Sequence, residues 1–301
     1  MLTSIHFLLT YTCTFECDHC FLYCSPRTKG TFTAQQLREA FRQISEMRGV
    51  TSVCFEGGEP FLYHPLLLEG LRLARDRGLK STIVTNSYWA NSFEDALLWL
   101  KPIKEIGIDE LSLSDDAFHH GEAENPAHIA AEAARALGIA ESAITIDPPT
   151  CLPDTRKGAP VVGGGVLFRG RAIEKLGEGL PLKPWQSFDS CPHEELEKPR
   201  RVHVDSFGNV HICQGISIGN MWKTPLDQID REYESEFHPV CGPLVEGGPA
   251  QLARDNAVEP DSGYIDACHL CWLTRQNLVD RLPEALCPRQ VYGFAPDTTS
   301  T

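Results

Sequence analysis

The apolar run of Ser4–Thr10, "SIHFLLT", reads as a strand, and from there strand-like and helix-like segments alternate through the first half of the chain. Between Thr33 and Met47, apolar residues recur at Leu37, Ala40, Phe41, Ile44 and Met47, which is helical spacing. Thr33 with Gln36 three positions later forms a capping-box pattern that sets where this helix begins. "VTSVCF" at residues 50–55 is the second strand, and a helix over Pro65–Arg77 is closed by Gly78. "KSTIVT" at 80–85 is the third strand, Ser92–Glu105 is helical, and "IDELSLS" at 108–114 is the fourth. A helix over Pro126–Leu137 leads into "SAITI", the fifth. Strands joined by helices of ten to fifteen residues become parallel neighbours through right-handed crossovers, so the class is α/β with a mostly parallel sheet. Ligands gather at the carboxyl ends of such strands. The segments that follow the first four strands, a cysteine loop, "EGGEP", "TN" and "SDDAFHH", therefore converge on one rim.

After Asp147 the pattern changes. "PPTCLPDTRKGAPVVGGG" is rich in proline and glycine and reads as loop. From about Pro184 few long periodic segments remain, and half of the cysteines are found there. "RVHVDSFGNVHIC" alternates around an Asp-Ser-Phe-Gly-Asn turn and predicts a hairpin that delivers Cys213 at its end. The expected organisation is a main unit over 1–183 and a small cysteine-stapled appendage over 184–301.

Composition narrows the class. With 42% hydrophobic and 23% charged residues over 301 positions, and no apolar run of about eighteen, the chain reads as a soluble globular protein. The amino terminus has no basic region or cleavage site of a signal peptide, so a cytoplasmic location is expected and no membrane partner. A net charge of -14 argues against nucleic acid, whose binding draws on cationic contacts; the short "KPRR" run at 198–201 reads as a solvated face.

Twelve cysteines in such a chain suggest metal or redox chemistry over a disulfide scaffold. Cys13, Cys17 and Cys20 crowd into eight positions of "YTCTFECDHCF". Thiolates hold zinc, iron-sulfur clusters or each other. Cys24 or His19 would complete a four-ligand zinc site, whereas three cysteines on an iron-sulfur cluster leave one iron open.

The Cys-x3-Cys-x2-Cys spacing, followed after the second strand by Gly57, Gly58, Glu59 and Pro60, resembles the radical S-adenosylmethionine (radical SAM) superfamily. That resemblance implies a partial (β/α)6 TIM-like barrel in which Cys13, Cys17 and Cys20 bind a 4Fe-4S cluster whose open iron takes the amino and carboxylate groups of S-adenosylmethionine (SAM). Gly57, Gly58 and Glu59 would approach the methionine moiety and its ammonium, and His19 would lie beside the adenine. Thr85, Asn86, Ser114 and Asp116 would face the ribose or methionine, although Asn and Asp at strand ends equally cap helices. Cys24 reads as a buried bystander, a spare thiol or a hydrogen donor, and Cys54 as a core residue.

"CHLC", Cys268 with Cys271, has the spacing of a metal knuckle, and Cys191 and Cys213 offer two more thiolates. The run from Cys191 to Asn220, with "FRGRA" upstream, resembles the SPASM or shorter twitch extension of radical SAM enzymes, which implies one auxiliary 4Fe-4S cluster, with zinc as the alternative. A full SPASM extension carries a denser cysteine run, so Cys241 and Cys287 read as buried thiols, with alternate ligands as the other reading. The resemblance implies SAM cleavage to a 5′-deoxyadenosyl radical, an electron donor such as ferredoxin or flavodoxin, and a peptide or protein substrate. The competing expectations are a dehydrogenase or isomerase of a small metabolite and a non-catalytic zinc scaffold.

Overall fold

The structure, a computed structural model, describes residues 1–120, 125–152 and 162–295. Five parallel strands follow one another across the sheet: β1 (Ser4–Thr10), β2 (Ser52–Gly57), β3 (Lys80–Thr85), β4 (Glu110–Ser114) and β5 (Glu141–Ile144). The crossovers are α1 (Ala34–Ser45), α2 (His64–Arg75) and α3 (Phe93–Ile106), then a single turn α4 (Ala117–His120) followed by α5 (Pro126–Ala136). The capping box forms as expected: the Thr33 hydroxyl accepts from the Gln36 amide, and the Gln36 side chain accepts from the Thr33 amide.

Alternation along β1 decides which face is greasy. Ile5, Phe7 and Leu9 point to the helices and join Leu37, Phe41 and Ile44 in the main core. Phe7 stacks on Phe41 and Phe55 with ring centroids 5.2 and 5.4 Å apart. Fully burying one such ring contributes about 2 kcal/mol. The opposite face presents Ser4, His6 and Leu8, alongside Cys54 and Glu56 of β2. This side of the partial TIM-like barrel is polar.

The carboxyl-terminal half contributes to the same sheet. After a small two-stranded pair, β6 (Thr150–Cys151) and β7 (Val162–Gly163), and helix α6 (Arg171–Leu176), the expected hairpin forms as β8 (Arg201–Asp205) and β9 (Asn209–Cys213). β10 (Ile216–Asn220) extends it. β8 pairs in parallel with β1, placing Val202 beside Ile5 and Val204 beside Phe7, and the sheet order is β10-β9-β8-β1-β2-β3-β4-β5. Val202, Val204, Val210, Leu226 and Ile229 therefore belong to the main apolar core. The helices α7 (Leu226–Glu232), α8 (Cys241–Asp255) and α9 (Ala267–Leu278) complete the chain. Periodicity missed α8 because Gly247 and Gly248 bend it with non-helical backbone, and Gly-Gly-Pro reads as a loop. Of the loop expected at 148–165, residues 153–161 lie outside the described residues.

Candidate active site

The segments after β1, β2, β3 and β4 meet around a cavity of about 340 Å³. Cys13, Cys17, Cys20, His19, Gly57, Gly58, Thr85, Asn86, Ser114 and Asp116 line it; Glu59 and Pro60 do not. Of the ten cofactor- and cluster-facing residues expected on this rim besides that pair, every one borders this space.

The two glycines act on the cysteine loop itself. The Gly58 amide donates to the Thr10 carbonyl at 2.6 Å and the Glu59 amide to the Thr12 carbonyl at 2.9 Å. A Cβ on Gly58 would stand 2.1 Å from the Thr12 oxygen, and one on Gly57, at φ +131°, would stand 2.4 Å from that of Thr10. Close approach here is backbone to backbone, and only glycine permits it.

Glu59 is fully buried. One carboxylate oxygen accepts from the Thr85 hydroxyl at 2.8 Å and the Phe61 amide at 2.9 Å, and the other accepts from the Asn86 amide at 2.8 Å. These contacts tie the end of β2 to the end of β3, and the second oxygen, with one donor, keeps an acceptor position. Burial pushes its pKa up to about 7, outweighing those three donors.

The polar residues on the cavity divide between structure and ligand. The Asn86 side-chain amide donates to Thr14 Oγ1 at 3.0 Å and reaches Cys13 Sγ at 3.5 Å, which fixes the first cysteine. Asp116 Oδ1 caps α4 through the amides of Phe118 and His119 and meets His119 Nδ1 at 2.8 Å. Asp116 Oδ2 is buried with no protein partner, as is His19 Nδ1. Burial of Asp116 would raise its carboxyl, but the His119 hydrogen bond and charge hold it below the usual range. Burial, with His119 close by, lowers His19 to about 4, so its ring is neutral at pH 7. His19 packs against Phe118 at 4.6 Å and His119 at 5.2 Å. His119, part of "SDDAFHH" but given no role from the sequence, is thus a member of the site; its sequence signal was its place after β4.

"FRGRA" clamps the cysteine loop. Gly170, at φ +62°, lies against the loop backbone, where a Cβ would meet the Cys20 carbonyl oxygen and Phe21 Cα at 2.5 Å. The buried Arg171 guanidinium donates to the Cys17 carbonyl at 2.9 Å and the Cys24 carbonyl at 2.8 Å. Arg169 stacks on Phe21 at 4.5 Å and reaches Cys213 Sγ at 3.2 Å.

The thiols are sharply differentiated. Burial raises Cys13 to about 11 and carries Cys17 higher still. A hydrogen bond from Cys24 brings Cys20 down to about 6 despite burial, and the same contact raises Cys24. Cys24 is buried as expected, but it also borders the cavity and bonds to Cys20.

A second cavity of about 20 Å³ is lined by Cys191, Cys213, Cys268 and Cys271, all four of the expected carboxyl-terminal thiols. Cys213 ends β9, while Cys268 and Cys271 sit three apart in the first turn of α9, whose start is capped by Asp266. Cys241 and Cys287 lie outside this lining; Cys241 is fully buried as expected, whereas Cys287 is only partly buried. Burial raises Cys213 and Cys268, and brings Cys271 to about 11. Arg169 and the buried Arg275 also border the space, and no carboxylate among the described residues pairs with either. Arg169 lines both cavities.

The sequence profile described as the Radical SAM superfamily matches residues 7–154, the stretch that carries the cysteine loop, the Gly-Gly-Glu turn and the strand ends above. The chain belongs to the radical SAM superfamily. Among curated relatives, YydG of Bacillus subtilis (strain 168), whose name assigns it provisionally to peptide biosynthesis, is 23% identical over 107 residues. That is 36% of this chain and 34% of YydG. MJ1632 of Methanocaldococcus jannaschii, named provisionally as a glycyl-radical enzyme activating enzyme, is 29% identical over 102 residues, 34% of this chain and 37% of that protein. The matches thus span about a third of the length of each of these relatives. A crystal structure of BtrN in complex with AdoMet and 2-DOIA shares the fold at a TM-score of 0.54 and 17% identity, over 82% of this chain and 88% of that one. No helix among the described residues is long and apolar enough to cross a membrane.

Proposed function

We propose that this radical SAM chain holds a 4Fe-4S cluster on Cys13, Cys17 and Cys20, binds SAM beside it, and modifies a peptide or protein by hydrogen abstraction. The carrying observation is the shared cavity, in which three thiols meet the Gly57–Gly58 turn and the polar ends of β3 and β4. The residues fit the group. Buried thiols that repel one another as anions call for a cationic metal centre, and the unpartnered Asp116 Oδ2 and His19 Nδ1 leave polar positions for a nucleoside. When bound, the cluster and SAM supply a 5′-deoxyadenosyl radical through reductive cleavage of the sulfonium C–S bond.

The chain's own residues position and enclose. Gly57, Gly58 and Arg171 hold the cysteine loop rigid, and Asn86 orients Cys13. Glu59 acts one layer back by joining two strand ends. Residues 184–301 bear a SPASM/twitch-like auxiliary iron-sulfur cluster on Cys191, Cys213, Cys268 and Cys271. The buried guanidiniums of Arg169 and Arg275 support an anionic thiolate-metal group there, because buried cations need compensating charge. A polypeptide substrate is supported by the names of the two relatives, one for peptide biosynthesis and one for activating an enzyme. A ferredoxin or flavodoxin is the electron donor this chemistry needs.

Incubation of the oxygen-free protein with SAM and a reductant is expected to release 5′-deoxyadenosine. Cys17→Ala abolishes release and keeps iron at the second thiol set. A peptide substrate deuterated at the reacting position is expected to pass its label to 5′-deoxyadenosine. Colourless protein with zinc on the amino-terminal thiols overturns the proposal, and label transfer from a small metabolite alone overturns the substrate.

A further inference from the structure

The polar face of the sheet carries a second convergence of donor groups away from both cysteine sets. Parallel register sets His6 of β1 directly between Cys54 of β2 and His203 of β8, and Glu56 follows Cys54 two residues on along the same face. One nitrogen of His6, the Cys54 sulfur and a Glu56 oxygen all fall within 4.8 Å of one another. His6 Nδ1 is 3.5 Å from Glu56 Oε1, and His203 Nε2 is 3.0 Å from the same oxygen. Gln214 Nε2 approaches His203 Nε2 at 3.2 Å.

Two facts set this cluster apart from a neutralised carboxylate in a polar lumen. Cys54 is 4% exposed, as expected of a core cysteine, yet it has no place in the apolar clusters and lies among hydrophilic groups. His6 Nδ1 is buried and, apart from the long 3.5 Å approach to Glu56 Oε1, has no partner. Leaving such an atom unsatisfied costs about 1–3 kcal/mol. Imidazole, thiolate and carboxylate form the mixed borderline donor set that suits zinc. A carboxylate ligand in such a site is held from behind by a hydrogen-bonding partner, which is the place His203 takes.

We propose that His6, Cys54 and Glu56 bind a zinc-class divalent cation, with His203 positioning the Glu56 carboxylate. Three protein ligands leave a fourth position open, the arrangement of a zinc that takes an external ligand. Glu56 also borders the cavity of Cys13, Cys17 and Cys20, so that position is reached from the space where substrate would lie. The external ligand is then a heteroatom of the molecule in the cavity, a thiolate, imidazole or carboxylate. The site stands independently of the radical chemistry, which is read by iron and 5′-deoxyadenosine.

The test uses the full-length protein with its iron sites reconstituted, exposed to zinc chloride and desalted, with zinc and iron counted by mass spectrometry. About one retained zinc per chain is expected, and its X-ray absorption should show a single sulfur neighbour at about 2.3 Å with nitrogen or oxygen at about 2.0–2.2 Å. Cys54→Ser lowers zinc affinity at least tenfold without changing iron, Glu56→Gln lowers it at least tenfold, and His203→Ala lowers it roughly tenfold. No retained zinc, zinc with four sulfur neighbours, or zinc indifferent to Cys54→Ser overturns the site. Should the Cys54 variant not fold, the sulfur count on the wild-type zinc decides.

Discussion

At Glu59, burial and hydrogen bonding pull in opposite directions, and burial wins. A carboxyl whose folded-state pKa is raised from 4.5 to about 7 favours folding in its protonated form. That contribution is complete below about pH 4.5 and is lost as pH rises through 7. The shift corresponds to about 3 kcal/mol. In urea titrations of the iron-free protein, the stability of wild type relative to Glu59→Gln should fall by about that amount between pH 4.5 and 8. Arg171 makes the complementary case. Its loss leaves the Cys17 and Cys24 carbonyls without their buried cationic donor, so Arg171→Ala is expected to cost about 3 kcal/mol by thermal unfolding and to lower iron loading on Cys13, Cys17 and Cys20. The cysteine spacing was legible because ligand spacing is local. The role of Arg171 was not, since 154 residues separate it from Cys17, and no periodicity reports such a contact.

Among the elements, the strands and helices of the first half matched their expected extents closely because each obeys one period. β1 and β3 begin and end where the patterning placed them, and α1 starts at its cap. Thr33→Ala should cost about 1 kcal/mol in unfolding free energy and leave iron content unchanged, since the cap is remote from the thiols. Gly170→Ala is the opposite test. It strains a left-handed residue and drives a methyl into the Cys20 carbonyl, so the expected result is loss of iron at the amino-terminal site, read by absorbance and metal analysis. The later elements were less legible. α8 is broken by Gly247 and Gly248, and α9 is short and carries cysteines in its first turn, so neither shows a clean apolar stripe.

For the whole molecule, the decisive feature is the parallel pairing of β8 with β1. A division at residue 183 leaves β1 as a sheet edge and strips Val202, Val204, Val210 and Leu226 from the core. A fragment ending at Lys183 is therefore expected to aggregate or to show no cooperative unfolding transition, as read by gel filtration and thermal denaturation. The same pairing brings Cys213, at the end of the next strand, within reach of Arg169, whose guanidinium borders both thiol cavities. Two thiol-lined cavities built from residues far apart in the chain thus share one buried wall.

Alternating apolar positions and the spacing of Cys13, Cys17 and Cys20 were enough to read the α/β class, the order of the first five strands and the rim on which the family's groups meet. Those are consequences of short-range geometry, in which a period of two or 3.6 and a three- or four-residue step dictate who faces whom. Tertiary packing alone settled that Glu59 is sealed between strand ends, that Arg171 braces the cysteine loop, and that His6, Cys54, Glu56 and His203 converge on the polar face. Each of these depends on strands and loops brought together across long stretches of chain, where burial and desolvation, rather than local pattern, assign the role of a side chain.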